Sequence, residues 1–482
     1  MFKKIREHWL FFTFLTFYFL FIAFKLIRFP TPFFDWDESI YMQTGREMLQ
    51  QKSFFVPLWQ GKVWLDKPPL IPLIYALVAN IFNFLAPPEI STRIFTLAIV
   101  CLTLILVYFF YFKIIKDKKL SALIAAITCF TPIFFQRSQV VNLDVFLLLG
   151  WLGYFYFFES FWASFFFLFL AVFSKSLIGF YPAVIMFGYY FYLFLRKKIN
   201  SKKLTAFLKK ILLQVIILLS WYLIMLFVFG KDFWIQHIIE SHFRRVSSSI
   251  EFHFGQRTFY LTLAFEQLGF FAIFALVGLI ILCYQIIIKN NISLLPYIFF
   301  VPWYLFLNLT KTKIFWYFFS SIPQLAALSI YPIAVFRKKK IIYYCLLIAM
   351  LGYLIFTINK SNILNTTFSK EEPYYYLSLY SRDHCADLNI LPNSTTRESF
   401  ATLDKMGLLI TTTKWWGSHP SIMYYFGKKV NLFYDKNEFA QSLNINSSQP
   451  CYVVEKDDTN ILQNKNFQLL KQFSEYYLYA KN

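Results

Sequence analysis

The sequence predicts a polytopic α-helical membrane protein with a small α/β domain near its C-terminus. Of its 482 residues, 58% are hydrophobic and 15% are charged, whereas a soluble domain is about 45–50% apolar and about 25% charged. Apolar runs of about 18 residues or more recur from Trp9 to Ile358, and each can cross a bilayer core about 30 Å thick. The runs lack the weak ten-residue alternation of a transmembrane barrel, so the spans are expected to be helical.

The basic residues indicate membrane topology rather than nucleic-acid binding. The net charge is +21, but Lys and Arg form short clusters between apolar runs instead of one continuous stripe. The clusters are residues 3–6, Lys113 to Lys119, Arg196 to Lys203 and Arg337 to Lys340. By the positive-inside rule, all of them belong in the cytoplasm.

The first apolar run, Trp9 to Ile27, is interpreted as a retained helix because no small-residue cleavage site follows it. It leads outward, so residues 28–90 form the first external loop. If the apolar stretch from Leu70 to Leu85 also crossed, the cluster at Lys113 would lie outside. That stretch, which contains Pro72, is therefore predicted to be a juxtamembrane or re-entrant helix within the loop.

About eleven spans are predicted, with the N-terminus in the cytoplasm and the C-terminus outside. A transmembrane domain would then cover residues 1–358 and an external domain residues 359–482. After the first helix, the spans lie near residues 93–112, 120–136, 142–158, 162–174, 178–195, 205–229, 265–288, 293–310, 314–335 and 341–358.

The C-terminal segment is polar, and two of its short runs, Gly407 to Thr411 and Cys451 to Val454, have strand character. These features predict the small external α/β domain. No Cys-x-x-Cys pair occurs, so a cysteine-ligated zinc site is not expected. Cys385 and Cys451 can form one disulfide if the segment is extracytoplasmic. Core packing is favoured over sugar binding for the aromatic groups at 374–376 and 415–416.

Ionisable residues collect on the predicted outer face, where charged groups near apolar spans suggest function. Lysines there can also extend to lipid headgroups, but Asp144, inside an apolar run, gains nothing from anionic lipid. Carboxylates and cations on one face predict a site for an anionic lipid-linked substrate, with a proton acceptor. The set comprises Asp35, Asp37, Glu38, Asp66, Lys67, Asp144, Lys175, His237, Glu240, His242, Arg244, Arg245, Lys311 and Lys313.

Two segments of the first loop resemble the GT-C glycosyltransferases, in particular the lipid A 4-amino-4-deoxy-L-arabinose transferases and, more distantly, the protein O-mannosyltransferases. DESIY from Asp37, followed by REML from Arg46, resembles the family's Asp-Glu-x-x-Tyr and Arg-Glu-Met-Leu signature. DKPPL from Asp66 resembles its Glu-Lys-Pro-Pro-Leu. The two segments stand in order in one loop, which makes the resemblance specific.

Weaker similarities continue to about residue 335. They are Asn142-Leu143-Asp144, Phe173 to Ser176 as the family's Lys-containing turn (with Lys-Ser-Leu from Lys175 in place of Lys-Gly-Pro), Ser220-Trp221-Tyr222, His242 to Arg245 as His-x-x-Arg, and Lys313 with Tyr317 and Pro323. The C-terminal domain is shorter than is typical of the aminoarabinose transferases.

The resemblance implies inverting transfer of one sugar from a polyprenyl-phosphate donor on the periplasmic face of a bacterial inner membrane. Asp37 would act as general base, and Asp144 would be a second base or would orient the acceptor. Glu38, next to Asp37, is a third catalytic candidate. A phosphate acceptor would need no base. The acceptor would be a lipid A-like glycolipid, another envelope glycan or a protein. The expected ligands of the lipid phosphate are Lys67, Lys175, Arg245, Lys313 and Tyr317.

The resemblance also implies a divalent metal in some members, held at positions that match Asp66 and His242. Two ligands are few for a structural zinc site, and a hydrogen-bonded loop histidine is the competing interpretation of His242.

Two other functions are alternatives to the transfer of a single sugar. A transporter or flippase of lipid-linked saccharides would usually show repeated halves and mid-bilayer binding residues, whereas here the polar groups lie on one face. An oligosaccharide ligase or polymerase with the same architecture would transfer whole chains rather than single sugars.

Overall fold

The computed structural model describes residues 7–365, 373–444, 449–463 and 466–481. The chain forms two compact units. The first contains the described parts of Met1–Phe29, Thr92–Trp234 and Phe254–Thr367, and the second contains those of Pro30–Ser91, Ile235–His253 and Phe368–Asn482. The second unit therefore includes two loops from the N-terminal half as well as the C-terminal segment. The linear boundary near residue 358 stays a prediction.

The chain is a multi-pass membrane protein. In the part that the structure describes, seven helical segments are long and apolar enough to cross a membrane, or up to eight if the bent pair Ile292–Ile298 and Val301–Leu309 is one span. The seven are Trp9–Arg28, Pro88–Ile115, Phe161–Leu195, Ser201–Ser247, Phe270–Ile287, Phe315–Val335 and Lys340–Ser361.

Two of the eleven predicted spans form helices that are too short to pass this test. The region 120–136 divides into Lys118–Phe130 and Pro132–Arg137, because Thr131, which precedes a proline, is extended. The region 142–158 contains the 13-residue helix Asp144–Tyr156, about 20 Å long at 1.5 Å per residue. The count of eleven therefore stays a prediction.

The segment Phe161–Leu195 consists of the helices Phe161–Lys175 and Tyr181–Leu195 joined by a short 3-10 turn, Ser176–Phe180. The turn folds back on the first helix, since a Cβ added at Gly179 would lie 2.3 Å from the Cα of Val172. This reversal places Lys175 at a helix end.

The first unit also contains helix Phe259–Leu268. Helix Ser201–Phe233 continues into a π-helix, Trp234–Arg244, and the short helix Arg245–Ser247. Gly230 interrupts the long helix with φ +51°, a left-handed conformation that favours glycine. Residues Ile235–His253 belong to the second unit.

The C-terminal part of the second unit is an α/β domain, as predicted. Its strands are β3 (Asp387–Ile390), β4 (Val430–Leu432), β5 (Pro450–Glu455), β6 (Phe467–Phe473) and β7 (Tyr476–Lys481), after a short hairpin of β1 (Leu58–Trp59) and β2 (Lys62–Val63). The sheet order is β4-β3-β5-β7-β6. Strand β3 is parallel to β4 and β5, and β7 is antiparallel to β5 and β6.

The hydrophobic core of this domain lies beside the sheet, around Phe439, Tyr452 and Leu462. The helices of the second unit include Trp36–Gln50, Leu70–Ile81, Pro373–His384, Ser394–Lys405, Ser421–Phe426, Lys436–Ser442 and Asn460–Gln463. The predicted strand Cys451–Val454 is confirmed within β5.

The strand predicted at Gly407–Thr411 is wrong, because these residues form turns and irregular backbone. Turn hydrogen bonds and side chains, rather than a neighbouring strand, satisfy their backbone groups. The Arg244 guanidinium donates to the carbonyls of Gly407 and Leu409, and the N–H of Thr411 donates to Glu240 at 3.0 Å. This short apolar segment therefore packs against the protein without pairing with another strand.

The disulfide between Cys385 and Cys451 forms, and it links the end of helix Pro373–His384 to β5. The tryptophans favoured for packing do pack: Trp416 is buried, with its ring 4.7 Å from that of Trp59. Tyr374 stacks on His419 at 4.4 Å.

Candidate functional site

The first unit buries an ion pair at the N-terminus of helix Asp144–Tyr156. Asn142 organises the approach to this helix, since its side-chain oxygen accepts the N–H of Val145 at 3.2 Å and its amide donates to the carbonyls of Arg137 and Val140. Asp144 is therefore held at the start of a helix, where a negative charge is favoured.

Lys175 donates to the Asp144 carboxylate at 2.6 Å, and both side chains are less than 10% exposed. The Lys175 ammonium also lies 4.5 Å from the centre of the Tyr317 ring, within cation–π range. The structure thus brings together three of the predicted site residues, from three different elements.

A small cavity opens on this group, with a volume of about 10 Å³, close to the space that one water molecule needs. Its lining includes the three residues together with Trp303 and Ser320. The lining therefore combines a charged pair, two aromatic side chains and a serine hydroxyl with apolar side chains.

Lys313, predicted to bind the same lipid phosphate, is directed elsewhere. Its ammonium donates to the carbonyls of Leu307 and Asn308 at 3.0 and 2.9 Å and lies 5.3 Å from the Tyr260 ring. These carbonyls end helix Val301–Leu309, where a cation is stabilised by the helix dipole. Lys313 is also absent from the lining of the cavity.

In the second unit, Asp37 and Glu38 lie in the first turn of helix Trp36–Gln50. Asp35 caps this helix by accepting the N–H of Asp37 at 3.1 Å, and the fully buried Glu38 carboxylate accepts the N–H of Asp35 at 3.4 Å. This is a capping box. It gives Glu38 a structural task and leaves the half-buried Asp37 as the more accessible carboxylate.

Asp66 lies in a cluster of cations and polar groups. Its carboxylate pairs with Lys67 at 3.0 Å and accepts from the Ser241 hydroxyl. Burial opposes ionisation of Asp66, but the charges of Lys67 and Arg245 outweigh it and hold its pKa below the ordinary value. Arg245 also pairs with Glu251 at 3.4 Å.

The expected metal ligands, Asp66 and His242, fit a metal site only in part. The Nε2 atom of His242 is buried with no hydrogen-bond partner, as a ligand position would be. However, Asp66 is already held by Lys67 and Ser241, and the described residues contain no group of three or more His, Cys, Asp or Glu placed to hold a metal ion. These side chains therefore do not form a complete metal site, and no step is routed through a metal.

Two further residues belong to this cluster: His237, which the sequence placed among the outer ionisable residues without a specific role, and Ser241, which the sequence did not single out. His237 is fully buried, donates from Nδ1 to the carbonyl of Leu65 at 2.7 Å and has its ring 5.9 Å from that of His242. Ser241 contacts Asp66. The polarity of the π-helix Trp234–Arg244 was the only sequence signal for them.

Glu47, part of the sequence signature in the first loop, has a structural task. Its carboxylate accepts the backbone N–H groups of Gln60 and Gly61 at 2.8 and 2.9 Å, which fixes the β1–β2 turn. Arg46 donates to the carbonyl of Tyr424 at 2.8 Å.

No family model matches the chain. It is 25% identical over 378 residues to an uncharacterized protein of Aquifex aeolicus, a match that covers 75% of this chain and 84% of the relative. A second uncharacterized protein of that organism is 24% identical, with 61% of this chain and 58% of the relative covered.

Solved structures share the fold over nearly the whole chain. ArnT from Cupriavidus metallidurans bound to undecaprenyl phosphate is similar with a TM-score of 0.66 at 11% identity, covering 99% of this chain and 98% of ArnT. Both ArnT and AglB, described next, are GT-C glycosyltransferases. The chain has the GT-C fold.

The second GT-C structure is the archaeal oligosaccharyltransferase AglB from Archaeoglobus fulgidus, in complex with an inhibitory peptide and a dolichol-phosphate. It has a TM-score of 0.59 at 12% identity, covering 94% of this chain and 70% of AglB. The GT-C resemblance drawn from the first loop is thus confirmed for the fold. The roles of individual residues stay predictions.

Proposed function

We propose that this protein transfers a single sugar from a polyprenyl-phosphate donor to an acceptor, with inversion at the anomeric carbon. The observation that carries the proposal is the buried Asp144–Lys175 pair beside Tyr317, facing a small cavity within a GT-C fold. Two GT-C structures of similar fold hold lipid phosphates, undecaprenyl phosphate in ArnT and dolichol-phosphate in AglB.

In the proposed reaction an acceptor oxygen attacks the anomeric carbon while the bond from that carbon to the phosphate oxygen breaks. Negative charge then develops on the leaving lipid phosphate, and cations stabilise it. Lys175 suits this role because it is desolvated and Tyr317 covers one side of its ammonium. Lys67 and Arg245 keep the lipid-phosphate role that the sequence resemblance implies; both lie in the second unit, where their charges act on Asp66.

Asp37 is the proposed general base for a hydroxyl acceptor and would take the hydroxyl proton as the new bond forms. Asp144 is proposed to position Lys175 through their 2.6 Å contact rather than to accept the proton. Lys313 is proposed to support the site only indirectly, because backbone carbonyls already bind its ammonium.

The reaction is proposed to take place on the periplasmic side of a bacterial inner membrane. The basic clusters favour that orientation, and a disulfide in the C-terminal domain is typical of an oxidising compartment. The acceptor would be a glycolipid such as lipid A, another envelope glycan or a protein. Transport of lipid-linked saccharides is not favoured, since the fold is that of glycosyltransferases.

A deletion strain tests this proposal. The strain is complemented with the wild-type protein, Asp37→Asn or Asp383→Asn, and the envelope lipids of each strain are compared by mass spectrometry. Asp383 is a matched control because its side chain is 68% exposed. For a hydroxyl-bearing glycolipid acceptor, we expect a single-sugar mass increment with wild type and Asp383→Asn. We expect it to fall about 100-fold or more with Asp37→Asn, the size of a general-base contribution.

An increment that persists in Asp37→Asn would contradict the role of Asp37 as base. A lipid profile that is the same in the deletion and complemented strains, with no accumulation of polyprenyl-linked sugar, would contradict the transferase itself.

A further inference from the structure

A pocket of mixed polar and apolar lining lies in the second unit between helices Trp36–Gln50 and Leu70–Ile81, beside the C-terminal domain. Its volume is about 290 Å³, near the lower end of the range of about 300–1,000 Å³ for small-molecule sites. Such a volume suits one compact group such as a sugar ring, and not an extended peptide.

Three carboxamides line this pocket, from Gln50, Asn80 and Asn83. All three are exposed, and none of their carboxamides has a hydrogen-bond partner among the described residues, so each is open to a ligand. Each carboxamide presents both a donor and an acceptor. Groups of this kind match the neighbouring hydroxyls of a sugar, which also donate and accept.

An arginine and a tyrosine complete the wall. Arg46 is held in place by its bond to the Tyr424 carbonyl, and its guanidinium lies 4.6 Å from the centre of the Tyr424 ring. No carboxylate lines the pocket. Arg46 is therefore fixed on one side of the pocket, and the lining suits neutral or weakly anionic polar groups.

An exposed apolar surface begins at the same helix end as the carboxamides. Ile81, Phe82, Phe84 and Leu85 are 59%, 43%, 80% and 69% exposed, and they alternate in sequence with the pocket residues Asn80 and Asn83. Polar groups that recognise a sugar thus adjoin apolar groups that suit a hydrocarbon chain.

We propose that this pocket binds the saccharide headgroup of a glycolipid whose hydrocarbon chains lie on residues 81–85. The identity of that glycolipid as the sugar acceptor rests on the proposed function. The binding itself follows from the unpaired carboxamides and the adjoining apolar surface.

Photo-crosslinking in phosphatidylcholine nanodiscs tests the proposal with the full-length protein. The probe is a glucosyl diacylglycerol with a diazirine in its acyl chain, and the reference probe is phosphatidylcholine with the same diazirine. Mass spectrometry of the digested protein locates the adducts. We expect the glucosyl probe to label residues 81–85 about tenfold more than the reference, as two hydrogen bonds to the sugar would give.

Two neighbouring carboxamides supply the matched variants. Gln50 and Gln51 are both exposed, but only Gln50 lines the pocket. Labelling is expected to fall about tenfold in the double variant Gln50→Ala/Asn80→Ala and to stay at the wild-type level in Gln51→Ala. Equal labelling by both probes, or no loss in the double variant, would overturn the proposal. Stronger labelling by a diazirine-bearing phosphatidylglycerol would overturn it as well, because the pocket would then recognise charge through Arg46.

Failure of this proposal and failure of the proposed function give different results. Crosslinking needs no turnover, so Asp37→Asn should label like wild type even if no transfer is detected. If transfer occurs, Gln50→Ala/Asn80→Ala is expected to raise the KM for a glycolipid acceptor, because its headgroup would bind less tightly.

Discussion

At the scale of residues, the pair of Asp144 and Lys175 combines a structural requirement with a chemical one. Both charges are removed from water, and each compensates the other at 2.6 Å. Removal of one partner of a buried pair leaves an uncompensated charge, whereas removal of both often restores stability. Stability and activity should therefore respond differently to single and double substitution.

A double-mutant cycle separates the two requirements. Lys175→Met is expected to destabilise the protein by about 3–5 kcal/mol, because it leaves Asp144 buried and unpaired. Asp144→Asn/Lys175→Met should recover most of that stability without recovering sugar transfer. Thermal unfolding of the purified protein in detergent and a transfer assay measure the two quantities. Transfer restored in the double variant would show that the pair is only structural.

His419 predicts an acid-sensitive contribution to stability. Burial lowers its pKa to about 4 in the folded protein, from an ordinary value of about 6.5. Between these values the unfolded chain binds the proton more readily, so the free energy of unfolding falls as pH decreases from about 6.5 to about 4. His419→Gln should weaken this dependence, and substitution of the exposed His384 by Gln should not. Unfolding measured across this pH range would contradict the prediction if both variants behaved alike.

Single residues were predicted better than their contacts. Asp144 and Lys175 stood out as charges in apolar runs, but their 31-residue separation gave no sign that they pair. Glu38 resembled a catalytic residue because Asp37 and Glu38 are adjacent, while the capping box emerges only once Asp35 starts a helix. Lys313 resembled a phosphate ligand, and only the folded chain shows carbonyls around it.

At the scale of elements, helix Trp36–Gln50 depends on close contact with helix Leu70–Ile81. A Cβ added at Gly45 would lie 2.1 Å from the carbonyl oxygen of Pro72. A backbone oxygen cannot move aside as a flexible side chain can, so only glycine permits this approach. The contact holds the helix that carries Asp37 and one wall of the carboxamide pocket.

Gly45→Ala is therefore expected to destabilise the protein by about 1–3 kcal/mol, the range for overpacking. Gly188 is the matched control, because it is also in a helix and has no atom within 4 Å of an added Cβ. Gly188→Ala should leave the unfolding temperature unchanged or raise it slightly. Equal unfolding temperatures in both variants would show that the two helices are farther apart.

The apolar runs in the sequence predicted the existence of the helices, but they did not predict where a run divides into shorter helices. The predicted span 120–136 is interrupted at Thr131 by the proline that follows it, a signal present in the sequence but weaker than the surrounding apolar run. The strand expected at Gly407–Thr411 had the composition of a strand, but Arg244 and Glu240 bind its backbone from another part of the chain.

At the scale of the whole molecule, the disulfide is the covalent link between distant parts of the C-terminal domain. It joins residues 66 positions apart, and closing a loop of that length stabilises the folded state by about 4 kcal/mol in the chain-entropy model. The bond also distinguishes two of the six cysteines from the four free ones.

Maleimide labelling of the denatured protein should therefore give four adducts without reductant and six after reduction. Cys385→Ser/Cys451→Ser should keep four adducts under both conditions and unfold at a lower temperature. Cys345→Ser is the control, expected to lose one adduct and keep the unfolding temperature of wild type. Six adducts without reductant would contradict the disulfide and the oxidising compartment inferred from it.

The division of the molecule into two units could not be deduced from sequence. Composition separates the C-terminal segment from the apolar part, but nothing local indicates that the first loop joins that segment. Contacts such as Gln60 with Val430, and Arg46 with Tyr424, link positions more than 300 residues apart.

This pairing of early and late segments sets the order in which the protein can mature during synthesis. The first loop leaves the ribosome roughly 300 residues before helix Pro373–His384, an interval of about 15–60 s at common elongation rates. Throughout that time the buried faces of Trp59 and Phe33 have no C-terminal partner to cover them. A nascent chain would therefore depend on a chaperone or on the lipid surface until translation ends.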